Sequence, residues 1–167
     1  MKKSGKAGRS QAWAVCLVGL VVVLAGCEAE ATDVAEVADV TAVKTLEDYK
    51  AEAAAAVEAV TVQDMLQRTG DDTVVFIDVR EGDELERLGK IDGAVHIPRG
   101  VLEFSIDADS ARHREEFSSG KKLVFYCATG GRSMLAAKLA SDMGVADPVY
   151  LEGGFKAWSE ANGPLSE

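Results

Sequence analysis

Cys127 stands where a thiol can do chemistry. It ends the apolar run "KLVFYC" and precedes "ATGGRS", Ala128 to Ser133, which opens an amphipathic stretch running to Met143 and Gly144. Unpaired amides at the start of a helix, with two glycines before it, can curl into a nest for an anion. The helix dipole adds roughly half a positive charge at the same place. A thiol held there is pulled below its usual pKa of about 8.5 toward a thiolate, the nucleophilic form. Arg132 is the only formally charged residue of that loop. A free cysteine is more often an inert core residue, but the strand-loop-helix position points to reactivity.

Compartment sharpens the point. Residues 1–26 carry Lys2, Lys3, Lys6 and Arg9, no acid, and an apolar run from Ala12 to Gly26. That run is shorter than the roughly 18 apolar residues of a spanning helix, so it reads as an export signal. It ends in "LAGC", Leu24 to Cys27, which resembles a bacterial lipobox and implies that Cys27 becomes the acylated first residue. Several acyl chains anchor stably, since each buried methylene adds about 0.8 kcal/mol. The expected product is an exported lipoprotein, membrane-anchored through Cys27 and facing the periplasm or the cell exterior. Loss of four cations moves the formal net charge from -10 to -14, which argues against nucleic-acid binding. Cys16 leaves with the signal and Cys27 is blocked, so Cys127 remains as the one free thiol in an oxidising compartment.

The elements that must position this thiol follow from pattern. Residues 27–43 read as an acidic tether, and residues 44–167 as one domain with a core over about 57–164. "KTLEDYKAEAAAAVEAV" predicts a helix with Leu46, Tyr49, Ala53 and Val57 on one face, then a strand near Val57–Val60. Thr61 and Asp64 resemble a capping box opening a short helix. "TVVFID", "AVHIP", "KLVFYC" and "PVYLEGG" read as strands. Helices are expected in "SARHREEF", over Arg132 to Met143 with Leu135, Ala136, Leu139, Ala140 and Met143 on one face, and in "FKAWSEANGP", where Trp158 anchors the core. The alternation predicts an α/β fold: a doubly wound, mainly parallel sheet with helices on both faces. Cys127 then lies at the carboxyl end of a strand, where sites form in such sheets.

Four motifs in order, "FIDVRE" (Phe76 to Glu81), "GKIDGAVHIP" (Gly89 to Pro98), "YCATGGRS" (Tyr126 to Ser133) and "LEGGFKAW" (Leu151 to Trp158), make the chain resemble the single-domain rhodanese-like sulfurtransferases. The resemblance implies a thiosulfate sulfurtransferase type of enzyme. Cys127 takes a sulfane sulfur from thiosulfate or a persulfide donor, holds it as a persulfide, and passes it to a thiol or cyanide acceptor without metal or cofactor. It implies that Ala128, Thr129, Gly130, Gly131, Arg132 and Ser133 bind substrate, and that Asp78 and Arg80 support the site.

Ala128 is uncharged where many relatives carry a basic or polar residue, which leaves a low-molecular-weight persulfide beside thiosulfate as donor. Because Ala128 and Thr129 are uncharged, Arg132 is expected to meet an anionic donor. Two rivals stand: a non-catalytic rhodanese homology module acting as a membrane-tethered sulfur carrier or docking domain, and a phosphatase or arsenate reductase. Phosphatase loops usually place the arginine six residues after the cysteine, and Arg132 is five after it. His96 and His113 lack ligand partners at metal spacing, and Glu81 and Glu84 are expected to pair with Arg80 or Arg87 on a solvated face.

Overall fold

A computed structural model describes residues 43–167; the signal segment, Cys27 and nearly all of the tether lie outside the described residues. The elements, in chain order, are α1 (Leu46–Ala56), β1 (Glu58–Val60), α2 (Val62–Leu66), β2 (Val74–Asp78), α3 (Gly82–Leu88), β3 (Lys90–Ile91), β4 (Val95–His96), α4 (Leu102–Ile106), β5 (Lys122–Tyr126), α5 (Gly131–Asp142), β6 (Val149–Leu151), α6 (Gly154–Glu160) and β7 (Leu165–Ser166). Five strands form one parallel sheet in the order β1-β6-β5-β2-β4, while β3 and β7 pair antiparallel as a separate ribbon.

β5 sits at the centre with β2 and β6 beside it, so both its faces need apolar side chains, and "KLVFY" supplies them. Leu123, Phe125 and Cys127 point into one core with Ala136, Ala137 and Ala140 of α5 and Leu102 and Ile106 of α4. Val124 and Tyr126 point into the other, with Met65 of α2 and Phe155 and Trp158 of α6. Period-two alternation thus places Cys127 on the α5 face. Trp158 is wholly buried, and its indole N–H donates to the Pro164 carbonyl at 3.1 Å.

Several expectations need correction. On α5 the buried set is Ser133, Ala136, Ala137 and Ala140, whereas Leu135 and Leu139 are only partly buried and Met143 is exposed. Small residues let the helix lie close on the sheet, Leu139 packs at the edge of this core, and both leucines line a surface cleft with Tyr49 and Glu52 of α1. On α1 itself Leu46 and Tyr49 are exposed, and only Ala53 is buried.

"SARHREEF" is not an α-helix: Glu115–Ser118 is a short 3₁₀ turn, because the segment lacks an apolar stripe to bury. The reciprocal capping box belongs to Thr45 and Asp48 at α1; at Thr61 the hydroxyl accepts from the Asp64 amide at 3.1 Å and donates to the Asp64 carboxylate at 2.7 Å, while the Thr61 amide makes no return bond to that carboxylate. The expected strands and the cap after α5 stand: Gly144 donates to the Ser141 carbonyl and Val145 to that of Ala140, both at 3.0 Å. This pair of bonds is a Schellman arrangement.

Candidate active site

β5 delivers Cys127 to the top of the sheet, and four residues later, at Gly131, α5 begins. The loop between them is shaped from below. The Cys127 carbonyl accepts from the Phe155 amide at 2.8 Å and the Ala128 carbonyl from the Lys156 amide at 3.0 Å, both on the first turn of α6. A peptide's C=O and N–H point in opposite directions. Tying these carbonyls toward α6 therefore turns the Ala128 and Thr129 amides the other way, toward the sulfur side. Gly130 completes the curl in the left-handed region, φ +103°, and its amide donates to Cys127 Sγ at 3.2 Å.

Cys127 is 1 % exposed. Burial pushes its thiol up, but the Ser133 hydroxyl and the Ser133, Thr129 and Gly130 amides outweigh this, and the pKa lies below the usual thiol value. The wholly buried Ser133 Oγ is 3.6 Å from Sγ and 2.9 Å from the Gly130 carbonyl. A hydroxyl has one proton to donate. Once Sγ is a thiolate, the charged acceptor competes best for it. Ser133→Ala is accordingly expected to raise the Cys127 pKa and displace the pH profile of iodoacetamide alkylation to higher pH. An unmoved profile would leave thiolate stabilisation to the amides alone.

Asp78 and Arg80 form a closed ion pair beneath the loop, both wholly buried. Arg80 Nε donates to Asp78 Oδ1 at 3.0 Å and Nη2 to Oδ2 at 2.6 Å, while Nη2 also reaches the Gly89 carbonyl at 2.8 Å. The guanidinium lies 4.0 Å from the Phe155 ring centroid, under the same helix that holds the loop carbonyls. His96 Nε2 bonds the Arg80 carbonyl at 2.9 Å, which occupies that ring nitrogen structurally.

The glutamates do not pair as expected. Arg87 bonds Asp83, Arg80 turns inward to Asp78, and Glu84 receives both guanidinium nitrogens of Arg132 at 2.7 Å each. Sequence reasoning missed this link. Its one local signal is the Glu81–Glu84 spacing at the start of α3, where the Glu81 amide donates to Glu84 at 3.1 Å. Ala128 is half-buried and Thr129 exposed; Gly131 and Arg132 are half-buried, and Gly130 and Ser133 buried. Of the six residues from Ala128 to Ser133, Thr129, Gly130, Arg132 and Ser133 act on the Cys127 sulfur, and Glu84 joins them from α3 through Arg132.

The family profile for the Rhodanese-like domain matches residues 61–161. The chain is 33% identical over 103 residues to the thiosulfate sulfurtransferase GlpE of Shewanella oneidensis, covering 61% of this chain and 92% of that one. It is 31% identical over 91 residues to a human thiosulfate:glutathione sulfurtransferase, covering 51% and 78%. A solved structure from Rhodopseudomonas palustris, described as a protein of unknown function and possible tyrosine phosphatase, superposes with a TM-score of 0.72. It shares 42% identity, over 75% of this chain and 97% of that one. With the parallel sheet, the cysteine loop and the profile in agreement, the chain belongs to the rhodanese-like domain family.

Proposed function

We propose that the protein is a sulfurtransferase working through a Cys127 persulfide. The observation that carries this reading is the cradle itself: a buried Sγ whose pKa is lowered by the Gly130 and Thr129 amides and by Ser133. The thiolate attacks the outer sulfur of thiosulfate or a related donor; the S–S bond of the donor breaks and sulfite leaves with its electron pair. The terminal sulfur now carries the charge, and the amides stabilise it. A thiolate or cyanide acceptor then attacks that sulfur, leaving as a persulfide or as thiocyanate and returning Cys127 as thiolate. Lowering the pKa raises the thiolate fraction but lowers intrinsic nucleophilicity, so a modest shift toward ambient pH serves exchange best.

Mass spectrometry of the protein after thiosulfate or an organic thiosulfonate tests this. A one-sulfur adduct on the Cys127 peptide that cyanide removes is expected; no adduct with any sulfane donor would refute the enzyme. Adduct formation without turnover would favour the carrier module.

The phosphatase reading has one observation in its favour, the description given to the Rhodopseudomonas palustris protein. Against it, Arg132 is five residues after Cys127, one short of the usual spacing, and both its Nη atoms already donate to Glu84, so loop length and the pairing of the arginine weigh against a tetrahedral phosphate. We further propose export and membrane anchoring through acylated Cys27. Fatty-acid labelling that disappears in Cys27→Ser supports this, and a cleaved but unlabelled wild-type protein refutes it.

A further inference from the structure

Arg132 is the only formal positive charge between Ala128 and Ser133; it lies close enough to Cys127 to act on the sulfur, and it is already paired with Glu84. Its Nη1 and Nη2 each donate to a different oxygen of Glu84, both at 2.7 Å. Glu84 is held in turn by the Glu81 amide, and its side chain is 18% exposed against 39% for Arg132. Of the other cations nearby, Arg80 is closed on Asp78 in the interior, and the exposed Lys156 is offset by the equally exposed Glu160 3.8 Å away. Arg132 draws the Glu84 carboxyl down to about 2, so the carboxylate stays charged wherever the enzyme works. An incoming donor therefore meets a thiolate, a carboxylate and one guanidinium, a local sum that is negative.

We infer that Glu84 is a specificity-determining residue: by holding both Nη atoms of Arg132 beside Cys127, it sets a preference for singly charged sulfane-sulfur donors over dianionic thiosulfate. This rests on the sulfurtransferase reading above and narrows its substrate class. The repulsion scales with donor charge, whereas the reaction does not change. Thiosulfate releases sulfite and a thiosulfonate releases sulfinate, and in both the Cys127 thiolate forms one S–S bond while the S–S bond of the donor breaks.

Thiosulfate and methanethiosulfonate are thus a matched pair, alike in the sulfur transferred and different by one charge. Glu84→Gln keeps an acceptor for Arg132 and for the Glu81 amide while removing the charge. It is expected to raise kcat/KM for thiosulfate about tenfold and for methanethiosulfonate only about threefold, as Coulomb energy follows donor charge. Both gains should shrink in about 1 M salt, where the screening length is roughly 3 Å. Glu84→Asp, which retains the charge, should keep the wild-type donor ratio.

Equal changes with both donors, or equal losses, would overturn the inference and make Glu84 a brace for the loop. A ratio in Glu84→Asp matching that of Glu84→Gln would overturn it too, assigning the effect to side-chain length. Failure of the wild type to form a persulfide with either donor would instead refute the sulfurtransferase reading. A persulfide that forms normally with an unaltered ratio in Glu84→Gln would refute only the role of Glu84.

Discussion

Asp78→Asn is expected to destabilise the domain by about 3–5 kcal/mol, the usual result of leaving one partner of a buried ion pair uncompensated. Arg80 shows why the effect should fall at the high end. Its side chain is wholly buried, and Nη1 already has no hydrogen-bond partner. Without the Asp78 charge, the guanidinium keeps the Gly89 carbonyl and the faces of Phe155 and Tyr126, together with whatever the asparagine oxygen supplies. Water cannot make up the difference in a site this closed. Thermal unfolding should fall on the order of 10–20 °C. Asp78→Ala combined with Arg80→Met should be less destabilised than Asp78→Asn, because an apolar pair leaves no stranded charge. A loss below about 1 kcal/mol in Asp78→Asn would mean that Arg80 finds another anion or reaches solvent, contrary to its burial.

That pair was legible as the "DVR" element, but its depth was not. A run such as "VVFID" announces a strand covered on both faces, and Asp78 and Arg80 lie at its end, where a charged residue reads equally well as surface. Tertiary cover decided the matter: Tyr126 and Phe155 close over Arg80 from β5 and α6. Cys127 was easier, since the strand, the glycines and the helix that define its chemistry are contiguous in sequence. The Glu84–Arg132 link joins residues 48 apart. α3 buries none of its side chains, so "GDELERL" offered no apolar period from which a helix could be read. β3 and β7, two residues each, are too short to show alternation and exist because their chains meet. Leu135 misled in the opposite way: hydrophobicity alone marks it as core, while the sheet accepts the smaller Ala136, Ala137 and Ala140, with Leu139 packed at their edge, and leaves Leu135 half-buried outside.

Gly154→Ala is expected to damage stability and catalysis together, through a single methyl group placed behind the reactive loop. Gly154 opens α6 at φ +60°, a conformation that costs an L-residue roughly 1–2 kcal/mol. Its Cβ would lie 2.4 Å from the Cys127 carbonyl oxygen and 3.0 Å from the Ala128 carbonyl carbon and oxygen. Those are backbone atoms, unable to swing aside as a side chain would. Relief requires moving α6 or the loop, and either stretches the Phe155–Cys127 and Lys156–Ala128 bonds that turn the loop amides toward sulfur. Strain and weakened bonds together put the expected loss of stability at about 2–4 kcal/mol. Misplacing the amides by even about 1 Å should lower kcat/KM for sulfur transfer on the order of 100-fold. The Cys127 alkylation profile should move to higher pH as donors to the thiolate are lost. Gly100→Ala provides the control, since no atom lies within 4 Å of its added Cβ and its φ is not positive. A Gly154→Ala enzyme that is less stable yet keeps wild-type turnover and alkylation would show that α6 holds up the fold without shaping the cradle.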